Sequence, residues 1–353
     1  ISNNFNVASV APGSTYTLGN ITGGAFEYTG ISNLATNGTL VSGTNSAIYL
    51  NGSVITSAAG ATNVAAAVLN GQYTGTLPSG FTAGIDGENR GTIVLGDSSA
   101  GLYGTNGARL LNKGSINVEN ISIGMSGKGT GSTLRNEGSI TLGTGSEGMY
   151  GNESTDITNT GNITGKSANG TGIYAESTSA MTINNSGTID MQGSDSRGIY
   201  AKGTGIKTIL NTGIVKTGNS SDVSKPGTGI YSDNTGDIIT NNGTVEAGMS
   251  SVGIYSKAGT VNQNAIINTG FNGTGIYADG AAVNLGTGSA LNVGAGNGVG
   301  VYGLNGATVI NNGTTTTGDG SYGYALKSGS NLTNNTAATL GENAVLVYAN
   351  GAG

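Results

Sequence analysis

The sequence predicts an all-β chain, a three-sided parallel β-helix whose coils are about 24 residues long. Three observations point there. A Gly-[Ile/Met/Val/Leu]-Tyr triplet recurs along the chain, and an Asn-x-Gly step recurs in phase with it. The segments between them are short, alternate apolar with polar residues, and are rich in Val, Ile, Thr and Tyr. A fixed period of this size marks a solenoid, and that residue chemistry is strand chemistry. The apolar spacing of amphipathic helices is absent.

The triplet tyrosines are Tyr103, Tyr150, Tyr174, Tyr200, Tyr231, Tyr255, Tyr277 and Tyr302, separated by 47, 24, 26, 31, 24, 22 and 25 residues. The 47 reads as two periods, because Gly124-Met125-Ser126 lies midway with Ser in the tyrosine slot. Gly323-Tyr324-Ala325 and Leu346-Val347-Tyr348 read as continuations of the series. The second marker appears as NKGSI (112–116), NEGSI (136–140), NTGNI (159–163), NSGTI (185–189), NTGIV (211–215) and NNGTV (241–245).

A coil of about 24 residues divides into three sides, each a strand plus a corner. Asn and Gly at the Asn-x-Gly steps are expected to supply left-handed backbone at corners. Stacking about 4.8 Å apart then lines up identical side chains, and asparagines in register can hydrogen-bond from coil to coil. Terminal coils are expected to expose unpaired edges, so the isolated segment is expected to need a cap or neighbours for solubility.

Strand alternation assigns faces. In residues 171–176 one set is Thr171, Ile173, Ala175 and the other is Gly172, Tyr174, Glu176. The slot two after the tyrosine is usually polar (Glu176, Lys202, Asp233, Lys257, Asp279), so the tyrosine set is expected outside and the isoleucines inside. Repetition also disposes of a nucleotide-binding reading of GTGIYA (170–175): a dinucleotide turn occurs once, between a strand and a helix.

Composition narrows the chemistry. The 353 residues contain 67 Gly, no Cys, no His, no Trp and 9% charged residues. Absence of His removes the imidazole base of a Ser-His-Asp triad, and absence of Cys removes disulfides and thiolate chemistry. Thirteen Lys and Arg against nineteen Asp and Glu, a net charge of -6, argue against a nucleic-acid partner. No apolar run is long enough for a membrane helix. Richness in Gly, Ser, Thr and Asn also fits disorder, but the apolar residues here are periodic. The opening at Ile1 reads as a mature or excised piece of a longer protein, without a signal peptide.

The alternating GxGIYA and N-[TSN]-G-[TSN]-[IV] units over roughly residues 100–350 resemble the passenger repeats of large fusobacterial-type autotransporter adhesins, proteins of type V secretion. GSYGYALK (320–327) looks like a variant of the same unit, and residues 1–99 match poorly. The resemblance implies a right-handed three-sided parallel β-helix exported to the bacterial cell surface. It also implies anchoring at the outer membrane by a C-terminal β-barrel outside this chain. Members of the family adhere to host cells or to other bacteria, and no shared binding motif carries over. The expected organisation is an irregular β-helical part at 1–99, with a small protruding subdomain near 72–90, followed by regular repeats at 100–353.

Several motifs invite chemistry and lose it in context. GDSSAG (96–101) looks like a serine nucleophile segment, but without His it has no base. GNITGKS (161–167) has its glycines one residue too close for a phosphate loop, and GTGSEG (143–148) falls at the phase of the coil edges. Glu176, Asp190 and Asp195 are the carboxylates that stacking across coils can bring near one another for glycoside hydrolysis, which needs two about 5–10 Å apart. A solvated outer face is the preferred reading, so neither an enzyme, a cofactor nor a metal site is expected.

Binding candidates come from irregularities. The coil between Asn211 and Tyr231 carries extra residues in TGNSSDVSKPGT (217–228), where Asp222 and Lys225 are the candidate contacts. Solenoid insertions bulge outward and commonly bind. A second irregular stretch, 72–90, offers Phe81 and Arg90. The stripe of Tyr174, Tyr200, Tyr231, Tyr255 and Tyr277 is a third candidate, for sugar faces or a protein anchor. The function expected is an adhesin segment, a monomer, binding a host receptor, a glycan or another bacterium. Its rivals are a passive stalk and a polysaccharide-active β-helix enzyme.

Overall fold

The computed structural model describes residues 19–222, 224 and 226–351. Every regular element among them is a β-strand, and none is a helix long and apolar enough to cross a membrane. The chain forms two compact units, Ile1–Gly165 and Lys166–Gly353. Both are three-sided parallel β-solenoids. Strands visit sheets A, B and C in turn, and each pairs in parallel with the strand one coil later in the same sheet.

In the first unit sheet A includes Ala100–Thr105, Ile123–Lys128 and Glu147–Asn152, in the register Tyr103↔Ser126↔Tyr150. Ser126 therefore holds a tyrosine slot, as the doubled spacing predicts. The strands Thr39–Thr44 and Ala65–Asn70 belong to the same sheet, so coils are already regular well before residue 100. The break in this unit is residues 71–86, an excursion between Ala65–Asn70 of sheet A and Gly87–Asn89 of sheet B.

In the second unit the tyrosines stand in register from Tyr174 through Tyr200, Tyr231, Tyr255 and Tyr277 to Tyr302. The next coil breaks the expected series. Ala325 takes the tyrosine slot, and Tyr324 takes the interior slot beside Val301. Tyr324 is fully buried, and its hydroxyl lies 2.8 Å from that of Thr315. Tyr348 returns to the outer slot, and Val347, in the interior slot, is 42% exposed at the edge of the last coil.

Alternation places Ile173, Ile199, Ile230, Ile254 and Ile276 in the interior, each 0% exposed. Burial of such a side chain contributes about 1.5–3 kcal/mol. The expected face of Gly172 is corrected. A Cβ there would stand 2.4 Å from Ile189 Cγ2, so Gly172 and Ile173 are consecutive interior positions. Glycine is needed because the neighbouring side chain already fills the space.

The Asn-x-Gly corner is corrected too. None of its six asparagines or glycines has a positive φ. Left-handed residues sit instead at the corners on either side of sheet A: Asn37, Asn63, Ser98 and Ile121 before it, Asn45 and Asn106 after it. The corner asparagines point inward and make a buried ladder. In the first unit Asn89 Nδ2 donates to Asn112 Oδ1, Asn112 to Asn136 and Asn136 to Asn159, each at 2.8 Å. In the second, Asn185 donates to Asn211 at 2.8 Å, Asn211 to Asn241 at 2.7 Å, and Asn241 to Gln263 Oε1 at 2.8 Å. Gln263 ends the line by donating to the Ala265 carbonyl at 2.7 Å, and buried Leu285 occupies the next slot.

Leu285 shows that leucine fits this slot, which makes Asn112→Leu a clean probe of the ladder. Its loss strands the Asn89 amide donor and the Asn136 acceptor, at about 1–3 kcal/mol each. We expect about 2–4 kcal/mol lower stability in urea unfolding; a change within about 0.5 kcal/mol would mean the ladder is energetically idle.

Candidate functional site

The tyrosine stripe lies on the outer face of sheet A in the second unit, half-exposed beside isoleucines that are fully buried. Because successive coils repeat the slot, the rings stack on one another. Centroids are 5.5 Å apart for Tyr174–Tyr200, 4.5 Å for Tyr200–Tyr231 and 4.8 Å for Tyr231–Tyr255. The series continues at 5.1 Å for both Tyr255–Tyr277 and Tyr277–Tyr302. Interplanar angles from Tyr200 onward are 11–29°. Cations flank the column: the Arg197 guanidinium sits 4.7 Å from the Tyr200 ring centre, Lys202 Nζ 5.3 Å from Tyr174, and Lys327 Nζ 5.4 Å from Tyr302.

This geometry changes what the stripe can do. Both faces of Tyr231, Tyr255 and Tyr277 are covered by neighbouring rings, so the column offers ring edges and hydroxyls rather than open faces. Packing also disfavours the phenolate. Burial pushes Tyr174 up to about 12, and Tyr231, Tyr255 and Tyr277 are raised for the same first reason. The carboxylate of Asp233 adds to the shift at Tyr231. A hydroxyl whose pKa is raised in the fold stabilises the fold below its ordinary pKa, near 10, and that contribution disappears as pH rises through the shifted value. Part of the tyrosinate absorbance near 295 nm is therefore expected only above about pH 11, together with loss of the strand circular dichroism. Complete ionisation near pH 10 with an intact fold would contradict it.

The insertion loop lies between Ile214–Thr217 of sheet C and Thr228–Ser232 of sheet A. It is pinned at two points. Asp195, in the left-handed corner one coil earlier, accepts from Ser221 N at 2.7 Å and from the Ser221 hydroxyl. Those bonds hold its carboxyl below the usual range. Ser220 Oγ accepts from Gly227 N at 2.7 Å and lies 2.9 Å from Ser251 Oγ of the following coil. Asp222 is exposed at the tip, where Ser224 donates to Oδ1 through N at 2.8 Å and Oγ at 2.6 Å. Lys225 lies outside the described residues.

In the first unit the structure brings Phe81 and Arg90 together on Tyr49. The Phe81 and Tyr49 ring centres are 4.9 Å apart, and the Arg90 guanidinium sits 4.7 Å from the Tyr49 ring centre. Both residues hold the 71–86 excursion against sheet B. Its anchors are two buried acids. Asp86 accepts from Tyr73 N at 2.8 Å and from the Arg109 side chain at 2.8 and 2.9 Å. Glu88 accepts from Thr82 N and Oγ1 at 3.0 Å and from Arg90 Nε at 2.5 Å.

The three carboxylates considered for hydrolysis stand in three different places, Glu176 and Asp195 in contacts of their own. Glu176 pairs with Lys202 at 3.3 Å on sheet A, Asp190 stands in register with Lys216 on sheet C, and Asp195 holds the corner loop. No group of three or more metal-ligating side chains is present among the described residues.

Sequence reasoning missed two residues. Lys207 looks like a surface charge but is 0% exposed, with Nζ donating to the carbonyls of Ser177 at 3.1 Å and of Gly203 and Gly205 at 2.6 Å. Ile121 sits in the left-handed region, φ 53°, with its side chain 74% exposed. That conformation costs an L-residue about 1–2 kcal/mol, and a β-branched residue there is an outlier. Only an apolar residue at the phase where Asn37 and Asn63 stand signals it in the sequence. Comparison with protein-family models, with curated proteins and with solved structures finds no match to this chain.

Proposed function

We propose that the chain is an extracellular segment of a bacterial outer-membrane autotransporter adhesin. In this reading it attaches to host cells or other bacteria through a surface receptor or glycan, acts as a monomer, catalyses no reaction, and is held by a β-barrel outside this chain. The observation that carries it is the 218–227 loop: an exposed polar tip, stapled by Asp195 and Ser251 to the regular coils on either side. Binding residues commonly sit on loops that a rigid scaffold positions.

A stalk is the second reading, and one observation favours it. The ladder rings spend their faces on each other, as stabilising repeats do, and leave little aromatic surface for a partner.

The test is attachment of the purified, folded chain to panels of host and bacterial cells, before and after enzymatic deglycosylation. A chain with 218–227 replaced by a short Gly-Asn turn runs alongside. Attachment that depends on the loop supports the adhesin; no attachment by a folded chain leaves the stalk.

A further inference from the structure

Resting on the adhesin reading, we infer that the first unit carries a binding groove for a neutral pyranose, at the corner where sheet C turns into sheet A. The groove is open to solvent and has a volume of about 420 Å³, within the range of small-ligand sites. Asn37, Asn63, Val68, Tyr103, Ile121 and Ile123 form its working surface, and no Asp, Glu, Lys or Arg lines it.

Tyr103 is what separates this place from the ladder. Its register neighbours are Val68 and Ser126 rather than tyrosines. It has no ring or hydrogen-bond partner among the described residues. Ser126 is buried, whereas Val68 is half-exposed and shares the groove with the Tyr103 ring. An aromatic wall without a stacked neighbour fits the C–H face of a sugar ring.

The rim supplies matched polar groups. Asn63 Nδ2 donates to Asn37 Oδ1 at 2.7 Å, which leaves Asn37 Nδ2 as a donor and Asn63 Oδ1 as an acceptor. Vicinal hydroxyls, each both donor and acceptor, match that pair. Ile121 adds apolar surface at the far end. It occupies a left-handed corner that Asn fills at residues 37 and 63, and such local strain clusters at ligand clamps. The neutral lining selects against phosphate and against charged sugars.

The test uses the full chain in saturation-transfer NMR, with oligosaccharides ending in galactose, glucose or N-acetylglucosamine and with sialylated counterparts. The parent is expected to transfer to the ring C–H protons of a neutral terminal sugar. Tyr103→Ser is expected to weaken binding at least tenfold with an unchanged unfolding midpoint, since serine already stands in this slot at Ser42 and Ser126. Ile121→Asn is expected to lose binding while its unfolding midpoint rises, a pairing that a purely structural role would not give. Absence of binding to every neutral sugar, or parental binding by both variants, overturns the site. Cell attachment separates the two readings. Parental sugar binding by both variants with normal attachment removes this groove and spares the adhesin, whereas groove-dependent sugar binding without cell attachment sustains the groove alone.

Discussion

Gly213→Ala is expected to cost about 4 kcal/mol or more, beyond the ordinary range for a point change. The added Cβ would stand 2.0 Å from the Gly187 carbonyl oxygen of the preceding coil, and that oxygen belongs to backbone fixed by the sheet. Gly187 O accepts from Ile214 N at 3.0 Å, so it cannot retreat without breaking the ladder. The same corner recurs at Gly138 and Gly243, each 2.1 Å from a glycine carbonyl one coil away. Gly306 is the control: a Cβ there meets nothing within 4 Å and its φ is 78°, so Gly306→Asn is expected to change stability by less than about 1 kcal/mol. Urea unfolding of both chains decides the matter, and equal midpoints would refute the close-approach account. Because each coil contacts mainly its neighbours, the defect should appear first as local hydrogen exchange around residues 187–243.

Lys207→Met is expected to be nearly as damaging, at about 3–5 kcal/mol. Methionine matches the length and volume of the lysine, so packing is nearly conserved. What disappears is the ammonium caged by three carbonyls. Replacing a buried charge by a hydrophobe is often harmless when its partners leave with it. Here the partners are main-chain carbonyls that stay: Ser177 O keeps its bond from Gly205 N at 3.0 Å and Gly205 O its bond from Asn234 Nδ2 at 3.2 Å, while the bond to Gly203 O is lost, at about 1–3 kcal/mol. Asp237, 1% exposed, remains close by, accepting from the Lys207 backbone N at 2.7 Å and the Ser232 hydroxyl at 2.5 Å. A midpoint within about 1 kcal/mol of the parent would show that water or a solvent cation replaces the ammonium without loss.

The architecture was legible because solenoids write the same position many times. Ile173 and its equivalents, the tyrosine slots and even the stand-in Ser126 follow from period and alternation. Asparagine was misplaced because one residue type serves two purposes. It tolerates left-handed backbone, and it hydrogen-bonds to a copy of itself, and only coordinates show which use applies at Asn112 or Asn211. Tyr324 was misassigned because a one-residue shift within the triplet exchanges inside for outside. Phe81 and Arg90 were found as irregularities, but their partner Tyr49 lies far away in sequence. Lys207 carries no pattern at all, and Ile121 only its phase with Asn37 and Asn63: burial of an amine and the sign of φ are set by neighbouring coils.

The asparagine line fixes rhythm without fixing distance. Asn241 and Gln263 bond across 22 residues, Asn211 and Asn241 across 30, yet each pair returns to the same slot. The surplus leaves the path at a corner and comes back in step. A genetic change of ten residues at 218–227 can therefore leave the coils in register, whatever it does to binding, whereas deleting one residue inside a strand inverts the faces of every later residue in that strand. Such a chain is free to lengthen, shorten and diversify its corners at speed, provided that every coil closes in phase.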